Sequence, residues 1–169
     1  PLNGVIGLTR LLAGSELPAG ERRMVEDISH CADALMAVIN DVLDFSKIEA
    51  GKFRLDEADF HLRSTVNDAL KGLAFRAHQK GLELACRIPA DVPDSLVGDA
   101  GRLKQVLINL VGNAVKFTEH GEVVVEVSLK GIEDGIARLR FSVTDTGVGI
   151  PAAKQEQIFE AFQQVDGST

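Results

Sequence analysis

Across residues 21–49, Val25, Ile28, Ala32, Leu35, Ile39 and Val42 recur at alternating steps of three and four, a heptad seam. Met24, Cys31, Val38 and Phe45 add a flanking apolar row at steps of seven, which makes the face wider than a two-stranded coil requires. That width suits a helical bundle. Ahead of it Leu2, Val5, Ile6, Leu8, Leu11 and Leu12 keep helical spacing, and Gly14-Ser15 and Leu17-Pro18-Ala19-Gly20 then break the chain. Two antiparallel helices bury little alone, so the hairpin is expected to self-associate into four.

At Ala50-Gly51 the periodicity changes. Residues 62–79 read as a helix, with Ser64 and Thr65 as candidate caps, and 82–88 as a strand. Gly98-Asp99 precedes a helix over 100–117 with Asp99 as N-cap. The β-branched runs 121–130 and 136–145 flank turn residues 131–135 and read as a hairpin. The expected organisation is therefore a helical unit over 1–50 and an α plus β unit over 51–169.

Composition limits the partners. Of 169 residues, 45% are hydrophobic and 25% charged, the balance of a chain that folds. The net charge of −7 offers no basic surface for duplex DNA or anionic lipid. Cys31 and Cys86 stand far apart with no metal-spaced histidine, which argues against a disulfide scaffold or zinc site and for a reducing compartment. The longest apolar runs, such as 34–39, fall far short of the roughly 18 residues that span a bilayer. The chain is expected to be soluble, and its start at Pro1-Leu2-Asn3 reads as that of a partial segment.

On the helix 100–117, Arg102, Gln105, Asn109, Asn113 and Lys116 fall in one narrow arc, while Leu103, Val106, Leu107, Leu110, Val111 and Ala114 fill the rest. A plain solvated face is one reading. Asn, however, is a poor interior helix former, and two amides one turn apart with an ammonium beyond them suit a hydrated Mg²⁺ that carries phosphates.

Asp145 follows the strand 139–143 and opens the loop Thr146-Gly147-Val148-Gly149-Ile150-Pro151. Glycine there lets a backbone approach a ligand closely. The loop is neither a Rossmann fingerprint nor a P-loop. Asp145 reads either as an Asx-turn residue or as a buried carboxylate at a pocket mouth, accepting a hydrogen bond from an exocyclic amine and so separating adenine from guanine.

In order, these motifs resemble those of the sensor histidine kinases of two-component signalling, over essentially the whole chain. Pro1-Leu2-Asn3-Gly4 is similar to the stretch after the phosphoaccepting histidine, and Asp44-Phe45-Ser46-Lys47-Ile48-Glu49-Ala50-Gly51-Lys52 to the end of the dimerisation hairpin in hybrid kinases. Asn109-x-x-x-Asn113-Ala114-Val115-Lys116-Phe117-Thr118 resembles the family's N box, Asp145-x-Gly147-x-Gly149-Ile150-Pro151 its G1 box, and Ile158-Phe159-Glu160-Ala161-Phe162 its F box.

The resemblance implies an α+β chain: a helical hairpin, four helices on dimerisation, followed by an ATP-binding domain of the Bergerat type with a mixed sheet and helices on one face. It implies ATP and Mg²⁺, with Asp145 on the adenine amino group, Gly147 and Gly149 lining the pocket and Ile150 near the base. Asn113 and Asn109 are the implied Mg²⁺ ligands, Lys116 a phosphate contact, and Phe159 and Phe162 anchors of a lid, although two Phe three apart are also ordinary core. The acceptor histidine is expected five positions before Pro1. Among His30, His61, His78 and His120 none has its motif, so no catalytic residue is expected within the chain and the chain alone is expected to be inactive.

In the complete protein the implied reaction is histidine autophosphorylation by Mg-ATP, then transfer to an aspartate of a response-regulator receiver domain, in the same chain or separate. The expected location is cytoplasmic, with any membrane anchor in other segments of the parent. Two alternatives stand beside this reading. One is an ATPase of the same fold, although those families carry a glutamate base where this chain has Asn109. The other is a scaffold module that keeps the fold without productive nucleotide binding.

Overall fold

The structure, a computed structural model, describes residues 2–15 and 17–155. The expected lid anchors Phe159 and Phe162 lie outside the described residues. Contacts divide the chain into two units, Pro1–Arg54 and Leu55–Thr169.

The first unit is a hairpin of α1 (Leu2–Ala13) and α2 (Ala19–Glu49). At 1.5 Å per residue α2 runs about 46 Å and α1 about 18 Å, so α1 covers less than half of its partner. The heptad seam divides accordingly. Val25 and Ala32 are buried, whereas Ile28, Leu35, Ile39 and Val42 remain 40–50% exposed. Thr9, also buried, satisfies its hydroxyl on the carbonyls of Val5 and Ile6. The end of α2 is a Schellman cap, which explains the break at this point. Gly51 adopts φ +64°, its N–H donates to Ile48 O, and Lys52 N donates to Lys47 O.

The second unit contains β1 (Ala58–His61), α3 (Leu62–Gln79), β2 (Glu83–Arg87), β3 (Ser95–Gly98), α4 (Ala100–Phe117), β4 (Glu122–Glu133) and β5 (Ile136–Asp145). β2 pairs parallel to β4, and β4 antiparallel to β5, giving the expected mixed sheet. β1 and β3 form a separate antiparallel ribbon, which no sustained alternation in the sequence marks. Val123, Val125 and Val127 of β4 are fully buried on one face, against a core drawn from Leu62, Val66 and Leu73 of α3 and Leu107, Val111 and Val115 of α4.

Two local expectations are corrected. The α3 N-terminus is not capped by Ser64 or Thr65, since Thr65 Oγ1 donates back to His61 O. Asp94, far along the chain, does the work instead: its carboxylate accepts from Arg63 N at 2.8 Å and its carbonyl from Leu62 N. The β4–β5 turn is also shorter than 131–135. It comprises Asp134 and Gly135, both at positive φ, as a type I′ hairpin turn requires, and the strand continues through Gly131 because a bulge accommodates Lys130.

Candidate nucleotide site

Capping, then core packing, sets the orientation of α4. Asp99 Oδ1 accepts from Arg102 N at 2.9 Å and Oδ2 from Asp56 N at 3.0 Å. These donors, Arg102 N–H foremost, hold the Asp99 carboxyl below the usual carboxylate range. Burial of Leu107, Val111, Ala114 and Val115 then turns Asn109, Asn113 and Lys116 outward. Arg102 donates to Gln105 Oε1 at 2.7 Å, so the first part of the polar stripe is satisfied within the helix. Among the described residues, Asn109 and Asn113 make no side-chain hydrogen bond.

A groove of about 660 Å³ runs beside these residues. It is lined by Ile108, Asn109, Gly112, Asn113, Val115 and Lys116 of α4, by Arg76 and Gln79 of α3, and by Lys80. Three of the lining side chains are cationic and none is a carboxylate, a composition that favours an anion. The α3 contribution is not legible in the sequence, because the stripe on α4 carries no information about its neighbour. Lys116 Nζ sits 4.8 Å from the centroid of the Phe117 ring, which is itself 43% exposed.

The loop after β5 meets the C-terminal end of α4. Gly147 N donates to Asp145 Oδ1 at 2.9 Å, the Asx-turn reading realised, and the Asp145 side chain is exposed rather than buried. Thr146 ties this loop to the start of β4: its hydroxyl accepts from Glu122 N at 3.1 Å and donates to His120 O at 3.0 Å. Gly147 is pressed against α4. A methyl group on it would lie 2.6 Å from Phe117 O and 2.9 Å from Thr118 Oγ1. Thr118 Oγ1 is buried and without a hydrogen-bond partner among the described residues.

Asn109, Asn113 and Lys116 therefore share one groove, and Asp145 and Gly147 abut the end of the same helix. Gly149, at φ +67° in open space, and the half-exposed Ile150 follow along the loop. Phe162 is outside the described residues. In the sequence Phe117 figures only as part of the N-box resemblance, and its exposed ring is visible only in the structure. Among the described residues no cluster of His, Cys, Asp or Glu could hold a metal ion, and no helix is long and apolar enough to cross a membrane.

The sequence profile of the His Kinase A (phospho-acceptor) domain matches residues 1–51. That of the histidine kinase-, DNA gyrase B- and HSP90-like ATPases matches residues 98–169. The chain belongs to the histidine kinase family. It is 47% identical over 168 residues to the signal transduction histidine-protein kinase BarA of Escherichia coli K12, covering 99% of the chain and 18% of BarA. It is 45% identical over 167 residues to the sensory/regulatory protein RpfC of Xanthomonas campestris pv. campestris, covering 98% of the chain and 23% of RpfC. The chain thus spans about a fifth of the length of these relatives. Among solved structures, full-length ShkA in complex with AMPPNP superposes with a TM-score of 0.74 at 41% identity, over 99% of this chain and 35% of that one. Helical hairpin and mixed-sheet domain are both part of that likeness, so the expected fold class holds.

Proposed function

We propose that this chain is the dimerisation and ATP-binding region of a hybrid sensor histidine kinase, with the hairpin at 1–50 and the catalytic domain at 51–169. The observation that carries the reading is the seat of Gly147 against Phe117 and Thr118. It sets the Asp145 carboxylate beside the helix end that bears Asn113 and Lys116. A nucleotide spanning these groups would have its base at Asp145 and its phosphates along α4.

In that pose the free Asp145 oxygen accepts the adenine amino proton, which guanine cannot offer at that position. Gly147 and Gly149 leave room for the base, Ile150 packs near it, and the exposed Phe117 ring offers a stacking face. Lys116 donates to a phosphate oxygen. The donor set fits Mg²⁺: Asn113 with Asn109 would present amide oxygens, and a hard cation that keeps waters and phosphate needs no carboxylate cage. When bound, the cation supplies charge neutralisation of the transferring phosphoryl group. Phe162 would anchor a lid. The resident Asn109, in place of a glutamate base, favours transfer to a protein side chain over hydrolysis. The use of AMPPNP as ligand in the ShkA complex supports the same nucleotide class here.

The exposed seam of α2 fits a second copy of the hairpin, giving a homodimeric four-helix bundle. The phosphoryl group then passes from a histidine of the parent kinase to a receiver-domain aspartate, in the cytoplasm. The acidic net charge favours neither nucleic acid nor anionic membrane as partner. The complete kinase incubated with γ-labelled ATP tests the reading. Acid-labile, base-stable label that disappears in Asn113→Ala is expected, and label that is absent from the wild type or unaffected by that change would overturn it.

A further inference from the structure

The geometry points to Lys80 as a positioning residue of the nucleotide site, acting through the end of α4. This inference rests on the ATP-binding reading above. Lys80 is the C-cap of α3, and its backbone is pinned by a second Schellman arrangement: Gly81, at φ +72°, donates to His78 O, and Leu82 N donates to Ala77 O. From there the Lys80 ammonium crosses to α4 and donates to Val115 O at 2.8 Å and Lys116 O at 2.9 Å, with Thr118 O at 3.5 Å.

Two consequences follow. The last carbonyls of a helix have no intrahelical partner and carry the negative end of its dipole, which repels a polyphosphate laid along that end. Lys80 offsets that end and occupies the carbonyls with charge-assisted bonds. It also fixes where α4 stops, and the same stretch, Lys116 to Thr118, bears the phosphate-contacting ammonium and the surface on which Gly147 sits. Without the ammonium, the end of α4 is free to fray, and Asn113, Lys116 and the Asp145 loop no longer hold one geometry.

The test is calorimetric titration of the chain with Mg-AMPPNP for wild type, Lys80→Met and Lys80→Arg, at a temperature well below the melting of all three. Lys80→Met keeps the aliphatic stem and removes the charge. Binding about tenfold weaker is expected, the scale of a misplaced contact set, with Lys80→Arg recovering to within about threefold. A role confined to stability would lower Tm and leave the low-temperature affinity unchanged, so wild-type affinity in a folded Lys80→Met variant overturns the inference. If Lys80→Met does not fold, Lys80→Gln takes its place with the same expected loss and the same overturning result. Absence of binding by the wild type would instead overturn the ATP-binding reading, and this inference with it.

Discussion

Gly147 stands so close to Phe117 that a methyl group on it would lie 2.6 Å from the Phe117 carbonyl oxygen. A Cβ carbon essentially never approaches a carbonyl oxygen that closely, and this oxygen belongs to the backbone of the last residue of α4 rather than to a flexible side chain. Gly147→Ala is therefore expected to push the 145–149 loop away from the helix. A loss of about 1–3 kcal/mol in stability, the usual cost of overpacking, should accompany loss of nucleotide binding. Chemical denaturation and titration of the same variant check both; unchanged binding would show that the loop and helix do not form one site.

Gly72, in the middle of α3, provides the opposite case, because nothing lies within 4 Å of the position its Cβ would take. Gly72→Ala should stabilise the chain by about 0.5–1 kcal/mol through helix propensity alone. Thermal melting measures it, and destabilisation would mean that α3 is not a regular helix at that point.

Asp94 links pH to the start of α3. Its carboxyl is held below the usual carboxylate range first by the Arg63 backbone N–H, then by the Arg63 guanidinium, whose Nη1 lies 3.4 Å away, and by His61. A carboxyl whose pKa is lower folded than unfolded stabilises above the unfolded value and loses that contribution as pH falls through the folded one. Asp94→Ala should thus melt below wild type at pH 7, with the gap narrowing as pH falls below the normal carboxylate range. A gap independent of pH would show that Asp94 contributes only by packing.

The exposed seam residues of α2 predict the state of association. Leu35 is 50% exposed and Ile39 40% exposed in the single chain, so a Leu35→Glu/Ile39→Glu variant should be monomeric where wild type is dimeric. Sedimentation equilibrium decides; a wild type that stays monomeric at high concentration would sink the bundle.

How far the sequence reveals this chain depends on whether the determining residues are near one another. The bounds of α4 can be read directly, because Asp99 caps the helix from its own N-terminus and the apolar period runs unbroken to Phe117. The start of α3 cannot, because its cap comes from Asp94, thirty-one positions beyond Arg63. β1 and β3 are four residues each and gain their pairing only from one another, with no alternation long enough to register. The same holds at the site. Asn109, Asn113 and Lys116 are legible as a stripe, but Arg76 and Lys80 enter the groove from another helix, and Phe117 is indistinguishable from core until its exposure is known.

The most direct measurement is calorimetric titration of this chain with Mg-AMPPNP, repeated with the guanine analogue and with Asp145→Ala. Saturable binding that is absent for guanine and lost in Asp145→Ala is the predicted result. Equal binding of both nucleotides, or binding that survives Asp145→Ala unchanged, would contradict an adenine pocket built where β5 meets the end of α4.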